Sequence, residues 1–370
     1  MNERSLSRDE ACAWLALNAS GLTTLRQLAL IDVFGSPAAL FQATDDELLA
    51  VKGVERVHVA KLRRAVDELE CDRLLQLLDD LGVSLLPITD SAYPPLLKEI
   101  HQPPVLLYVQ GEILPRDELA VAVVGTRKCT PYGRRVARQL GYELASRGVT
   151  VVSGMALGAD AEAHRGAIEA GGRTIAVLGC GIDITYPRQH QELRQEIVAH
   201  GAVTSELPPG TGPTREQFPR RNRIVSGLCM GVVVVEAPQG SGALITANLA
   251  AEQGRTVFAV PGDINRPESR GCNELIRDGA VLVQQVDDVL DELNITPEPL
   301  APQAEAGSPA VNLSPDEAAV FECLGSEQRT VDELVEATGM ESPRVMSALM
   351  LLEVKGLVRR FGGGTYARAR

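Results

Sequence analysis

No stretch of about 18 apolar residues occurs in this 370-residue chain, so a membrane-spanning helix is excluded. Its first residues, MNERSLSRDEACAW, lack the apolar run of a secretory signal. Both absences predict a cytoplasmic protein with no membrane partner. The seven cysteines (Cys12, Cys71, Cys129, Cys180, Cys229, Cys272, Cys323) include none of the close pairs that structural zinc or redox motifs require. The expectation is no metal site, and reduced, mostly buried thiols. The chain also has no G-x-S-x-G nucleophile turn. It is poor in net positive charge, at −13, which argues against a nucleic-acid partner if only the total is considered.

The distribution of that charge reverses the argument. Residues 119–290 hold 18 Lys and Arg against 17 Asp and Glu, while the rest of the chain holds 18 against 32. A near-neutral central segment has room for a basic groove. In the same segment short β-branched runs (AVAVVG, TVVSG, TIAVLG, AVTSE, VVVVEA, TVFAVPG, AVLV) alternate with helical patterns such as YGRRVARQLGYELASRG. This alternation predicts βαβ units and a seven-stranded, doubly wound parallel sheet, whose ligands bind beyond the carboxyl ends of the strands.

Length predicts more than one folding unit. Residues 1–82 show apolar residues at helical spacing broken by Gly35 and Gly53, which predicts a small helical domain. Within it LLAVKGVERVHVAKL resembles a helix-hairpin-helix element, with Glu55 where a second glycine is usual. The sheet domain spans 84–293. A Pro- and Ala-rich linker occupies 294–312. From 313 to 370 the order helix, helix, longer helix, Gly-rich hairpin is that of a winged helix-turn-helix. After Glu353 this domain has Lys355, Arg359, Arg360, Arg368 and Arg370 and no acid, which predicts a basic wing.

The first sheet strand ends in VVGTRKCTPYG. A dinucleotide site wants G-x-G-x-x-G here, but Gly125 is followed by Thr126 and Arg127. An arginine at this turn supplies a forked cation where helix N-termini already gather. The turn suits phosphate rather than a dinucleotide, and no cofactor is expected.

At this point the chain closely resembles the DprA (Smf) family. The likeness runs over about residues 90–290, through SAYPPLLKEIHQPPVLLYVQG, GTRKCTPYG, SGMALGADAEAHRGAI, TIAVLGCGIDITYPRQHQEL, SELPPG, FPRRNRIVSGL, GSGALITANLAAEQGR and GCNELIRDGA. The resemblance implies an extended Rossmann-like core, a non-enzymatic role in natural transformation, binding and protection of single-stranded DNA, homodimer formation and help in loading the recombinase RecA. Carried over by motif, the DNA pocket comprises Gly125, Thr126, Arg127, Ser153, Gly154, Arg188, Phe218, Arg221, Asn222, Arg223, Gly240, Ser241 and Gly242. Arg188 stands where family members often have lysine. FPRRNR joins charge to a stacking ring, as binding of single strands without sequence preference requires.

Other residues receive structural readings. Asp160 and His164, at helical i, i+4 spacing, are expected to pair. Glu236 is expected to orient a loop near Ser241 and Thr246. An exposed edge strand at AVLV, with Leu282 on it and Leu275 and Ile276 on the preceding helix, is the expected dimer interface. No catalytic residue is assigned. The competing reading is a lysine-decarboxylase-like phosphoribohydrolase, whose PGGxGTxxE motif resembles PQGSGALIT (238–246), but Thr246 takes the place of its glutamate.

Overall fold

The computed structural model describes residues 6–297, 313–324, 329–355, 357–360 and 365–368. The described residues fall into two compact units, one up to residue 297 and one from 313 onward. The linker expected at 294–312 lies almost wholly outside the described residues.

The larger unit is built on a nine-stranded sheet. Its strands are β1 (Val83–Pro87), β2 (Leu106–Gly111), β3 (Ala120–Val124), β4 (Thr150–Ser153), β5 (Thr174–Val177), β6 (Gly201–Ser205), β7 (Gly231–Val234), β8 (Thr256–Ala259) and β9 (Val281–Leu282). They lie in the order β1-β2-β6-β5-β4-β3-β7-β8-β9. The seven runs read from the sequence form β3 to β9, and every pairing among them is parallel. β3 is buried at all five positions, as a strand covered by helices on both faces must be.

Two further strands enlarge the sheet beyond the expected seven. β1 and β2 pair antiparallel with each other, and β2 pairs antiparallel with β6. Eighteen residues separate β1 from β2, including the short helix Pro95–Lys98, so no tight-turn signal marks them as a hairpin. Leu106, Leu107 and Tyr108 of β2 are fully buried. Each buried leucine contributes about 1.5–3 kcal/mol relative to an exposed one.

Six helices precede the sheet: Arg8–Ala19, Thr24–Phe34, Pro37–Gln42, Asp45–Leu49, Arg56–Glu68 and Cys71–Asp80. Capping boxes start two of them, Ser7 with Glu10 and Thr44 with Glu47. Gly35 ends the second at φ +76 and Gly53 turns the chain at φ +84, conformations that favour glycine. Trp14, Leu15, Leu17, Leu40 and Leu62 of these helices share one apolar cluster with Leu106 and Leu107 of the sheet. The Tyr108 hydroxyl donates to Asn18 Oδ1 at 3.0 Å.

That packing corrects the cysteine reading. Cys12 and Cys71 form a disulfide, with Cα atoms 5.7 Å apart. They are 59 residues apart in sequence, and only the docking of the first helix against the start of the sixth brings them together. Arg8 and Asp72 form an ion pair beside the bridge. Cys129, Cys180, Cys229 and Cys272 are free and buried, and Cys323 is free and half-buried.

The smaller unit is a winged helix. Helices Pro315–Cys323, Val331–Thr338 and Ser342–Val354 accompany a three-stranded sheet of β10 (Arg329–Thr330), β11 (Val358–Arg360) and β12 (Thr365–Arg368), in the order β10-β12-β11. Val320, Leu334, Val345, Leu349 and Leu352 fill its core. Of the cations expected to make a basic wing, Lys355 forms an ion pair with buried Glu317. Arg368 donates to the Phe321 carbonyl and lies over the Phe321 ring. Both are engaged within the domain. The side chains of Arg359 and Arg360, and Arg370 itself, lie outside the described residues.

Candidate nucleic-acid interface

The strand order reverses direction between β3 and β7, so the turns that leave these two strands flank the crevice where open α/β sheets hold ligands. They are tied together. The Thr126 N–H donates to the Glu236 carbonyl at 2.7 Å. Gly125 has no room for a side chain, because a Cβ there would meet Ala159 and the Glu236 carbonyl. Glu236 is buried, and its carboxylate accepts from the Thr130 N–H at 2.9 Å and the Thr130 hydroxyl at 2.6 Å. Thr130 in turn caps the helix Pro131–Ser146. Glu236 therefore orients a loop as expected, but it holds the Thr126–Thr130 turn rather than the neighbourhood of Ser241 and Thr246. Its strand points it toward β3, whose exit turn is nearer.

This anchoring leaves Arg127 and Lys128 exposed. The Arg127 guanidinium lies 4.9 Å above the centre of the Phe218 ring, and the Phe218 ring lies 5.3 Å from that of Tyr186. A cation and two aromatic faces thus form a row at the carboxyl edge of the sheet. Phe218 comes from the helix Gln217–Gly227, Tyr186 from the segment after β5, and Arg127 from the turn after β3. Arg188 is exposed two residues beyond Tyr186, and Arg215 is exposed just before the Phe218 helix. Among the described residues, Arg127, Lys128, Arg188 and Arg215 have no carboxylate partner. Sequence reasoning had not selected Tyr186. The signal for it in the sequence is an aromatic ring two positions before Arg188.

Other predicted site residues lie below this surface. Arg221 is buried, and its guanidinium donates to the Gly154 carbonyl at 2.9 Å and to the Val177 carbonyl. It thereby ties the ends of β4 and β5 together. A side chain at Gly154 would collide with that guanidinium. The Gly154 N–H donates to Asp160 at 3.1 Å. Burial raises the Asp160 carboxyl above its ordinary range, and the Arg221 charge opposes that rise. Ser153 donates its hydroxyl to the Val123 carbonyl at 2.7 Å. Arg223 is buried and ion-paired with Glu206 at 2.5 Å. Ser153, Gly154, Arg221 and Arg223 thus shape the edge from beneath, while Arg127, Arg188 and Phe218 present themselves on it.

The expected Asp160–His164 pair does not form. Asp160 turns back to the N–H groups of Gly154 and Ala156, because it sits in the first turn of its helix, beside the loop it closes. His164 Nδ1 instead lies 2.7 Å from the Thr174 hydroxyl. That hydroxyl donates to the Val151 carbonyl, so Nδ1 carries the proton and Nε2 is bare. Burial, with the nearby Arg221 and Arg165 charges adding to it, pushes His164 down to about 3.

On the other side of the crevice Asn222 donates to the Gly242 carbonyl at 3.3 Å. Ser241 caps the helix Gly242–Glu252, and Gly240 turns at φ +74. Gly240 and Gly242 are exposed with open space around them, so the backbone at this helix start is accessible to an anion. Thr246 is buried with its hydroxyl on the Gly242 carbonyl, and it offers no carboxylate there. Of the expected interface residues, Leu282 on end strand β9 is 40% exposed, while Leu275 and Ile276 are half-buried against the main cluster.

Comparison with known proteins places this arrangement. The model of the DNA recombination-mediator protein A family matches residues 84–294, and that of the DprA winged helix domain matches residues 302–364. Protein Smf of Escherichia coli is 41% identical over 293 residues, 77% of each chain. DNA processing protein DprA of Streptococcus pneumoniae is 44% identical over 205 residues, 55% of this chain and 72% of the relative. The X-ray structure of the pneumococcal protein superposes with a TM-score of 0.69 at 35% identity, covering 78% of this chain and 98% of that one. A structure of DNA processing protein A from Helicobacter pylori, described for its single-stranded DNA binding mode, gives 0.53 at 32% identity, covering 59% and 98%. With the motifs in order along the sheet and both domain models matched, the chain belongs to the DNA recombination-mediator protein A family, also called DprA or Smf.

Proposed function

We propose that this chain binds single-stranded DNA, without sequence preference and without catalysing a reaction on it, at the carboxyl edge of its sheet. The observation that carries the reading is the row of Arg127, Phe218 and Tyr186 at the crossover between β3 and β7. Single strands need a charged track and exposed ring faces. The unpaired cations Lys128, Arg188 and Arg215 extend the track, and the open Gly240–Gly242 turn offers backbone amides to a phosphate. The single-strand binding mode described for the Helicobacter pylori relative supports the same reading.

In the cell this binding serves natural transformation: the protein is cytoplasmic, protects incoming single strands and helps load the recombinase RecA on them. It acts as a homodimer through the exposed end of the sheet at β9. Leu282 is exposed there and Ile276 is on the adjoining helix, and an uncovered edge strand invites association. Replacing Ile276 and Leu282 by charged residues is expected to give monomers in sedimentation, and an unchanged dimer places the interface elsewhere.

The test of the binding reading is titration of the full-length protein against labelled single strands, duplex and mononucleotides at several salt concentrations. Single strands are expected to bind best, with little dependence on base sequence and with affinity falling as salt rises. A preference for duplex, or turnover of a nucleoside monophosphate, refutes it.

A further inference from the structure

Beside the start of the Phe218 helix lies a cleft of about 430 Å³ between the first two helices of the chain and the segment leaving β6. Its walls include Asn18, Thr23, Thr24, Gln102, Glu206 and Arg220. Arg220 belongs to the same helix as Phe218, two residues further on, and its side chain is 52% exposed. The cleft and the aromatic row are therefore carried by one helix, at positions two residues apart that lie about 200° from each other around its axis.

Asn18, Thr23, Glu206 and Arg220 of the cleft have partners within the protein, whereas, among the described residues, Thr24 and Gln102 offer free side chains. Thr24 is only 6% exposed, yet among the described residues its hydroxyl has no hydrogen-bond partner, and the Gln102 amide has none either. Thr23, which precedes the 11-residue helix Thr24–Phe34, makes no side-chain cap; its hydroxyl accepts from Arg26 instead. Among the described residues nothing accepts from the Thr24 N–H at the positive end of that helix. Glu206 is the one carboxylate among the wall residues, and it is held by two cations, Arg223 at 2.5 Å and Arg220 at 3.5 Å. Buried Arg223 behind the wall offsets Glu206, which leaves the exposed half of Arg220 for a ligand. A guanidinium, a hydroxyl and a backbone amide converging on one space recognise a phosphate.

We propose that this cleft is a second contact site for the strand held on the aromatic row, taking a backbone phosphate between Arg220 and the start of the helix Thr24–Phe34. The N-terminal helices then lengthen the binding track. This rests on the single-strand reading above, and it assigns to the helical layer a role of its own.

The test compares unstructured oligonucleotides of about 6 and about 15 nucleotides, lengths that bracket ordinary single-strand site sizes, on the full-length protein. Wild type is expected to gain affinity with length. Arg220→Ala and the near-isosteric Thr24→Val are each expected to lose about three- to tenfold on the longer strand and nothing on the shorter. Arg220→Ala also reduces the salt slope for the longer strand by about one phosphate. Thermal melting checks both variants, and Arg220→Lys, which keeps the charge, is expected to recover part of the loss. Length dependence equal to wild type in both alanine and valine variants overturns the proposal. So does calorimetric binding of inorganic phosphate that both variants abolish while strand affinity is untouched, which marks a free-anion site instead. Phe218→Ala separates the two readings: it should weaken both oligonucleotides, and if it weakens neither, the aromatic row is wrong whatever the cleft does.

Discussion

Two regions of this molecule are rich in arginine and lysine, and they use them in opposite ways. At the carboxyl edge of the sheet, Arg127, Lys128, Arg188 and Arg215 stand exposed, without acidic partners among the described residues, beside two aromatic rings. In the winged helix, Arg344 makes a forked pair with Asp316, Lys355 pairs with Glu317, and Arg368 is spent on the Phe321 carbonyl and ring. The helix Ser342–Val354, at the position where a winged helix reads DNA, shows Met346, Met350 and Leu351 to solvent instead. Counting cations does not locate a nucleic-acid site. The proposed single-strand site is marked instead by cations that lack acidic partners among the described residues and stand next to a surface on which bases can stack.

The largest expected effect separates structural from binding arginines within one helix. Arg221→Met removes the buried cation that joins β4 to β5 and leaves Asp160 buried without its counter-charge, so it should cost about 3–5 kcal/mol of stability, read by denaturant unfolding. If Arg221→Met folds as stably as wild type and only binding falls, Arg221 is a surface contact and the contrast drawn here fails. A somewhat smaller effect concerns His164, whose folded-state value near 3 lies below its ordinary 6.5. The unfolded chain binds the extra proton, so the stability from this group is present above pH 6.5 and is lost as pH falls toward 3. Between pH 7 and pH 5 wild type should lose about 2 kcal/mol more than His164→Asn. Parallel pH profiles for the two proteins would show that His164 is not held neutral.

Next come the binding residues, whose loss should leave stability alone. Arg127→Ala, Arg188→Ala and Phe218→Ala should each weaken single-strand binding by about 1–3 kcal/mol, with melting temperatures near wild type because the first two side chains are exposed. Tyr186→Ala belongs with them. Binding at wild-type strength in all four would move the site away from the sheet edge.

How much of this was readable beforehand follows from the range of each signal. The seven parallel strands and the Arg127 turn were legible, because β-branched runs and a glycine-bounded turn are local patterns. The β1–β2 pair was not, since it depends on a long connection and on pairing with β6. FPRRNR was legible as a site, but its division was not. Helical rotation turns Arg221 and Arg223 inward while Phe218 and Arg220 remain at the surface, and only the packing of the helix against β4, β5 and Glu206 decides which face is which. The Asp160–His164 spacing predicted a pair that the loop at Gly154 outcompetes, because backbone N–H groups nearer to Asp160 take its oxygens. Cys12 and Cys71 carry no local signal of their bond at all.

The smallest expected effect falls on the winged helix. With Arg344, Lys355 and Arg368 engaged internally and Arg329 the exposed exception among its described cations, removing residues 313–370 should change single-strand affinity by less than about 0.5 kcal/mol, the scale of a surface change that touches no key feature. The core should also melt as before, since the two units have separate apolar clusters. Arg344 makes the sharper probe. Arg344→Ala frees Asp316 and removes a charge from the helix Ser342–Val354, so a duplex reader would lose duplex affinity and a protein-docking face would not. The measurement is titration of the truncated and Arg344→Ala proteins against one unstructured oligonucleotide and one duplex at fixed salt, beside Arg127→Ala. If truncation abolishes single-strand binding while Arg127→Ala binds normally, the wing is the reader, and the comparison between the two regions is inverted.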